Sequence, residues 1–196
     1  MICFRTQIGV SAEKDHSLFA VSLRPTPVLN TPDFRSVFGG KDGTILAADA
    51  EGLIRELEYI ALPGTVFKII AVIPYADHLI YQVETESYDY PTQEGYFIDE
   101  RFVELKHFRP LRPRIKLLSK KRIVKNLKRC ITVDMYVWGG NHKAGIPEML
   151  EYYPPSGPLS EETRKRWMLK GLDCSGLLYE CADGYTPRNT SALVRY

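Results

Sequence analysis

The run Leu172-Asp173-Cys174-Ser175-Gly176-Leu177-Leu178-Tyr179 constrains this chain more than any other stretch. Asp173 is a strong helix N-cap, because its carboxylate accepts from the unpaired N–H groups of a first turn. Leu177, Leu178 and Cys181 follow at helical spacing, and Asp183-Gly184 supplies a stop. The pattern predicts a buried helix that opens at Cys174, with the thiol in the positive end of the helix dipole. Such a position favours the thiolate and suits a nucleophile. The plainer role for a cysteine on an apolar helix is core packing.

Two further runs flank it. Met135-Tyr136-Val137-Trp138-Gly139-Gly140 comes before the cysteine, and Thr186-Pro187-Arg188-Asn189-Thr190-Ser191 comes after. A Tyr-Val-Trp-Gly-Gly turn, an Asp-Cys-Ser-Gly helix start and a Pro-Arg run with small hydroxyl residues, in that order, resemble the NlpC/p60 family of bacterial cell-wall cysteine peptidases. The resemblance covers about residues 117 to 196. It implies a papain-like α+β fold and thiol-protease chemistry, with no cofactor or metal. In the family, the residues matching Tyr136, Asp173 and Ser175 help recognise the free N-terminal L-Ala of a peptidoglycan stem peptide. The bond cleaved there is typically γ-D-glutamyl to a diamino acid. By that resemblance Cys174 is the nucleophile, Asp173 pairs the substrate ammonium, and Tyr136 and Ser175 belong to the same pocket. For Asp173 simple N-capping is the structural alternative, and both roles can coexist. The backbone N–H of Cys174, at a helix start, is a natural oxyanion donor. Gly139 and Gly140 are expected to let the chain pass close to the helix, and Trp138 to pack; Arg188 carries no assigned chemistry.

Amide hydrolysis through a cysteine also needs a base that protonates the leaving amine. In the family that histidine lies well downstream on a central strand, with a polar residue to orient it. Here 22 residues follow Cys174 and none is histidine. His16, His78, His107 and His142 all lie upstream, and only His142, after the Gly-Gly turn, falls in the matching region. The chain therefore reads as the first half of the family domain, truncated before the base and most of its sheet. Leu177, Leu178 and Leu193 are then expected to face water or another chain, and peptidase activity of this form alone is expected to be little or none.

Upstream, the patterning is β-rich. Leu18 to Leu23 reads as a strand, ended by Arg24-Pro25-Thr26-Pro27, and Phe38 to Gly43 as a loop. Leu53, Ile54, Leu57 and Ile60 recur at helical spacing and predict a short helix between Asp49 and Ile60. Val66–Ile73, Leu79–Val83, Tyr96–Ile98 and Phe102–Leu105 then read as short strands of a small antiparallel barrel or meander. The closing Gly95-Tyr96-Phe97-Ile98 and Phe102-Val103 are similar to the last strands of bacterial SH3-like domains, which commonly precede NlpC/p60 domains.

Phe108 to Arg114 is a basic, Pro-rich connector. Ser119 opens a predicted helix to about Arg129, with Ile123, Val124, Leu127 and Ile131 as its buried stripe. From Leu105 to Cys130 there are eleven Lys or Arg and no Asp or Glu, which hides inside a net charge of +2. This face is either solvated or a footprint for an anionic partner. Tyr152-Tyr153-Pro154-Pro155 reads as an insertion-like loop before a short helix from Ser160 through Trp167. Tyr152, Tyr153 and Trp167 are candidates for a cleft wall, with core packing the alternative.

The four cysteines show no metal spacing and no disulfide framework, so reduced thiols are expected. No apolar run approaches a membrane span, and the N-terminus lacks a signal-like core, so a cytoplasmic location is expected, with a role at the cell envelope as the alternative. The expected architecture is α+β: an N-terminal small antiparallel β-barrel, SH3-like, over residues 1–107; a basic linker over 108–118; and the first half of a papain-like NlpC/p60 domain over 119–196. The expected partner is a peptidoglycan stem peptide, with no nucleic acid and no membrane span. The alternative is a non-catalytic module that binds cell wall or an anionic polymer.

Overall fold

In a computed structural model, the protein is described over residues 18–40, 42–111 and 115–195. Cys3, His16, Arg112, Pro113 and Arg114 lie outside these residues. The described chain is a mixed α+β structure built on one large antiparallel sheet. In order it runs β1 (Phe19–Ser22), β2 (Thr26–Leu29), α1 (Phe34–Val37), β3 (Phe38–Gly39), β4 (Ile45–Leu46), β5 (Leu57–Ala61), β6 (Val66–Tyr75), β7 (His78–Glu84), β8 (Tyr96–Asp99), a 3-10 turn (Glu100–Phe102) and β9 (Val103–Lys106). Then follow α2 (Lys120–Cys130), β10 (Asn141–His142), α3 (Glu148–Tyr152), α4 (Glu161–Trp167), β11 (Gly171–Leu172), α5 (Cys174–Cys181) and α6 (Thr190–Leu193).

The main sheet has seven strands in the order β5-β2-β8-β7-β6-β1-β9. The expected β meander is present, but not as a closed barrel: among the described residues no pairing joins the edge strands β5 and β9. Alternation along the strands explains why both faces are buried. Leu29, Ile60, Ile80 and Phe97 enter one apolar core, while their neighbours Val28, Tyr59, Tyr81 and Ile98 enter another. Val137, Ile146, Met149, Tyr153, Trp167 and Leu169 join the first of these cores. The sheet and the chain beyond the basic connector thus share one hydrophobic interior. Trp167 is fully buried within it and donates from its indole to the Tyr153 carbonyl at 2.8 Å, so core packing is its role.

Three local expectations change. The segment 49–60 is a turn followed by β5, not a helix. The Asp49 carboxylate accepts from the Glu51 and Leu53 amides, and β5 pairs with β2, Pro27 opposite Ile60 and Leu29 opposite Leu57. Leu57 and Ile60 are buried as helical spacing suggested, but the sheet supplies the backbone partners. Thr26-Pro27 begins β2 rather than merely ending β1. On α2, capped by Ser119 as expected, Ile123 and Leu127 pack inward with buried Cys130, whereas Val124 is 51 % and Ile131 80 % exposed. The inward stripe is completed by Asn126 and Cys130, whose partners lie on α5. Hydrophobicity alone does not identify these two.

Candidate active site

Asp173 caps α5 from an extended backbone, its Oδ1 accepting from the Gly176 amide at 2.6 Å. Cys174 is therefore the first residue of the helix, as predicted, and its side chain is exposed, which excludes core packing as its role. Its sulfur lies 3.7 Å from Thr190 Oγ1 at the start of α6. The helix continues through Tyr179 and Cys181 on its buried side; Leu178 is 42 % exposed, as expected, whereas Leu177 packs against Cys130, Leu172 and Cys181 instead of facing water. Exposure separates Cys174 from the two other described cysteines, which are buried.

Behind the cysteine lies a buried polar lattice centred on Arg188. Its Nη1 and Nη2 donate to Asp173 Oδ1 and Oδ2 at 3.1 and 2.6 Å, a fork that matches the planar carboxylate. Nη1 also donates to Ser175 Oγ at 2.8 Å, and that hydroxyl donates to Asp173 Oδ1 at 3.1 Å. Nε donates to Asn141 Oδ1 at 3.0 Å. Asn141 in turn closes the edge of the main sheet: its Oδ1 accepts from the Ile60 amide and its Nδ2 donates to the Ile60 carbonyl, both at 2.8 Å. The side-chain amide thus serves as a short extra strand on β5. Through Asn141 and Arg188, the sheet fixes the start of α5.

Close backbone approach makes the arrangement possible. Gly140 accepts at its carbonyl from the Asp173 amide at 2.9 Å, and a Cβ added to Gly176 would meet that same carbonyl oxygen at 1.9 Å. Gly140 and Gly176 are therefore the places where chain and helix touch, as expected for the Gly-Gly turn. A Cβ on Gly139, where φ is +68°, would strike Leu57 on β5 instead.

The sequence-predicted residues assemble together. Tyr136 forms an isolated parallel bridge with Leu172 and is 49 % exposed. Partial burial raises its phenol pKa, and the nearby Asp173 and Cys174 add to the rise against Arg188 and Arg55. Asp173 and Ser175 are buried within the lattice. Trp138 is partly exposed, under the Arg55 guanidinium at 4.5 Å from its ring centre. His142 does not join Cys174: it sits on β10 with Nδ1 3.7 Å from Glu180 Oε2, and Lys143 Nζ is 3.2 Å from Glu180 Oε1. Glu180 lies six residues along α5, about 9 Å of rise from the cysteine. His78 is also accounted for, buried among Asp77, Asp99, Arg101 and Tyr153.

Two parts escaped sequence reasoning. Asn141 carries no sequence signal beyond its place directly after Gly139-Gly140, and the motif that holds Arg188 does not reveal its task. Glu58 on β5 also borders the lattice, accepting from Asn30 Nδ2 at 2.8 Å and Tyr88 Oη at 3.2 Å. Burial raises its carboxyl pKa, against those two hydrogen bonds and the charge of Arg188. Arg188, Tyr88, Tyr179 and Thr186 line a groove of about 980 Å³, and Tyr136 lines a smaller one of about 640 Å³ with Asp134, Glu161 and Lys165. Among the described residues, no group of three or more His, Cys, Asp or Glu is placed to hold a metal ion. No helix among them is long and apolar enough to cross a membrane. No protein-family model, curated protein or solved structure matches the chain.

Proposed function

We propose that this chain carries the nucleophile and the amine-recognition side of an NlpC/p60-type cysteine peptidase acting on peptidoglycan stem peptides, in cell-wall turnover or recycling. The observation that supports this most is the exposed thiol of Cys174 at the first position of a capped helix, fixed from behind by the Arg188–Asp173–Ser175–Asn141 lattice. A nucleophile needs an accessible sulfur on a rigid support, and a core cysteine needs neither. The Cys174 amide, with no helical acceptor at that end, suits a developing oxyanion. Among the described residues Asp173 Oδ2 accepts one hydrogen bond, from Arg188, and so keeps acceptor capacity for a substrate ammonium beside Tyr136. The SH3-like reading of the sheet belongs to the same proposal.

The test is protection of the thiol. Alkylation of Cys174 by iodoacetamide is followed with and without L-Ala-γ-D-Glu-diaminopimelate. Slower alkylation with the tripeptide, lost in Asp173→Asn, is the expected result. Equal rates at saturating peptide would sink the reading.

A second reading has its own support. Lys120, Lys121, Arg122, Lys125, Lys128 and Arg129 are all exposed along α2, which makes this helix a candidate grip for an anionic wall polymer. Retention on such a polymer that survives Cys174→Ala, but falls with added salt and on charge reversal at Lys120, Lys121 and Arg122, favours it.

A further inference from the structure

Cys130 ends α2 and Cys181 ends α5, and their sulfurs lie 3.7 Å apart in a buried seam. The seam is small. Ile123, Leu127, Val133, Leu172 and Leu177 pack around the two thiols, and Asn126 Nδ2 donates to the Cys181 carbonyl at 2.9 Å. The outer face of α2 is solvated and strongly basic, so little apolar contact elsewhere holds this helix down. Both cysteines sit on helical backbone, and their side chains already point at each other. A disulfide requires the sulfurs to approach by about 1.7 Å more than their present 3.7 Å.

We propose that Cys130 and Cys181 are a thiol–disulfide exchange site, which a small disulfide of the glutathione type converts into an intramolecular cross-link between α2 and α5. The chemistry needs that one co-reactant. The thiolate of Cys130, the less buried of the two, attacks the small disulfide, forms a mixed disulfide and expels one thiolate. Cys181 then gives its proton to the first expelled thiolate and attacks the Cys130 sulfur, expelling the second, which takes up a proton from water. Two protein thiols are oxidised and one disulfide is reduced to two small thiols. Burial, with the Cys130 thiol beside it, pushes the Cys181 thiol up to about 12, which makes it the resolving rather than the entering group.

Cys174 stays outside this reaction. It is seven residues from Cys181 on the same helix, about 10 Å of rise, too far for a bridge. The cross-link would close a span of 51 residues, long enough to restrict the unfolded chain strongly.

The experiment uses the full chain with Cys3→Ser and Cys174→Ser, leaving the pair intact. The reduced protein is exposed to oxidised glutathione and read by intact mass, non-reducing peptide mapping and thermal unfolding. The expected product has lost two hydrogens, carries no glutathione, joins the Cys130 and Cys181 peptides, and melts about 5–10 °C higher, reversibly with dithiothreitol. In the unsubstituted chain the exposed Cys174 takes up one glutathione under the same treatment, and the Cys130–Cys181 link still forms. A stable glutathione adduct on Cys130 or Cys181, two alkylatable thiols after oxidation, or a Cys174–Cys181 peptide link overturns the proposal.

Discussion

Arg188 and Asp173 form a two-pronged ion pair at 3.1 and 2.6 Å, with both side chains buried. The guanidinium has further acceptors in Ser175 and Asn141, so its charge is paired and four of its five N–H donors are engaged. Removing one partner of such a pair strands the other. Arg188→Met is expected to lower the unfolding free energy by about 3–5 kcal/mol. Arg188→Lys keeps the charge but loses the fork, and should fall between the variant and the parent. Urea unfolding reads both; a Met variant as stable as the parent would show that the lattice does not hold the fold.

Gly176 gives a steric prediction. With Gly140 O at 1.9 Å from an added Cβ, Gly176→Ala must push the Gly-Gly turn off the helix. A loss of about 1–3 kcal/mol is expected despite the better helix propensity of alanine, together with altered alkylation of the adjacent Cys174. A neutral or stabilised variant contradicts the close approach.

Glu58 and Glu180 should respond to pH in opposite senses. Burial raises the Glu58 carboxyl in the folded chain, so the fold binds its proton more tightly than the unfolded chain does. Its contribution is greatest below the ordinary carboxyl range and declines as pH rises through that range to the raised value. Glu58→Gln should therefore gain stability relative to the parent as pH rises from the ordinary carboxyl value of about 4 toward neutrality. Glu180 is also desolvated, but His142 and Lys143 outweigh this and lower its pKa. Its contribution is present above the ordinary range and lost as pH falls through the folded value, so Glu180→Gln should cost stability near neutrality and little in acid. Denaturation midpoints of both variants across that interval provide the check.

Cys174 should be the fast-reacting thiol among the described cysteines, since Cys130 and Cys181 are buried. Iodoacetamide under native conditions is expected to modify Cys174 first, and Cys174→Ala to change stability by less than about 0.5 kcal/mol. Turnover of a γ-D-Glu-diamino acid peptide by this chain is expected at background, because no described histidine is hydrogen-bonded to the sulfur. Turnover that disappears in Cys174→Ala would show that a base is supplied after all.

The sequence by itself determined the parts whose physics is local. Asp173 and Ser119 announce helix starts because a cap acts over three residues, and the period-2 runs of β6, β7 and β8 announce strands because alternation is set by the backbone. The order Tyr136, Asp173-Cys174-Ser175, Arg188 is likewise visible in the chain. Tertiary structure decided the rest. Leu53, Ile54, Leu57 and Ile60 fit a helix as well as a turn and strand, and only pairing with β2 selects the strand. Val124 and Ile131 are apolar yet exposed, whereas Asn126 and Cys130 face α5, because a polar group is admitted wherever a partner waits for it. Asn141 and Arg188 are separated by 47 residues and meet in the interior, where neither can be left without a partner. No local pattern encodes that meeting, since it depends on where β5 places the Ile60 backbone.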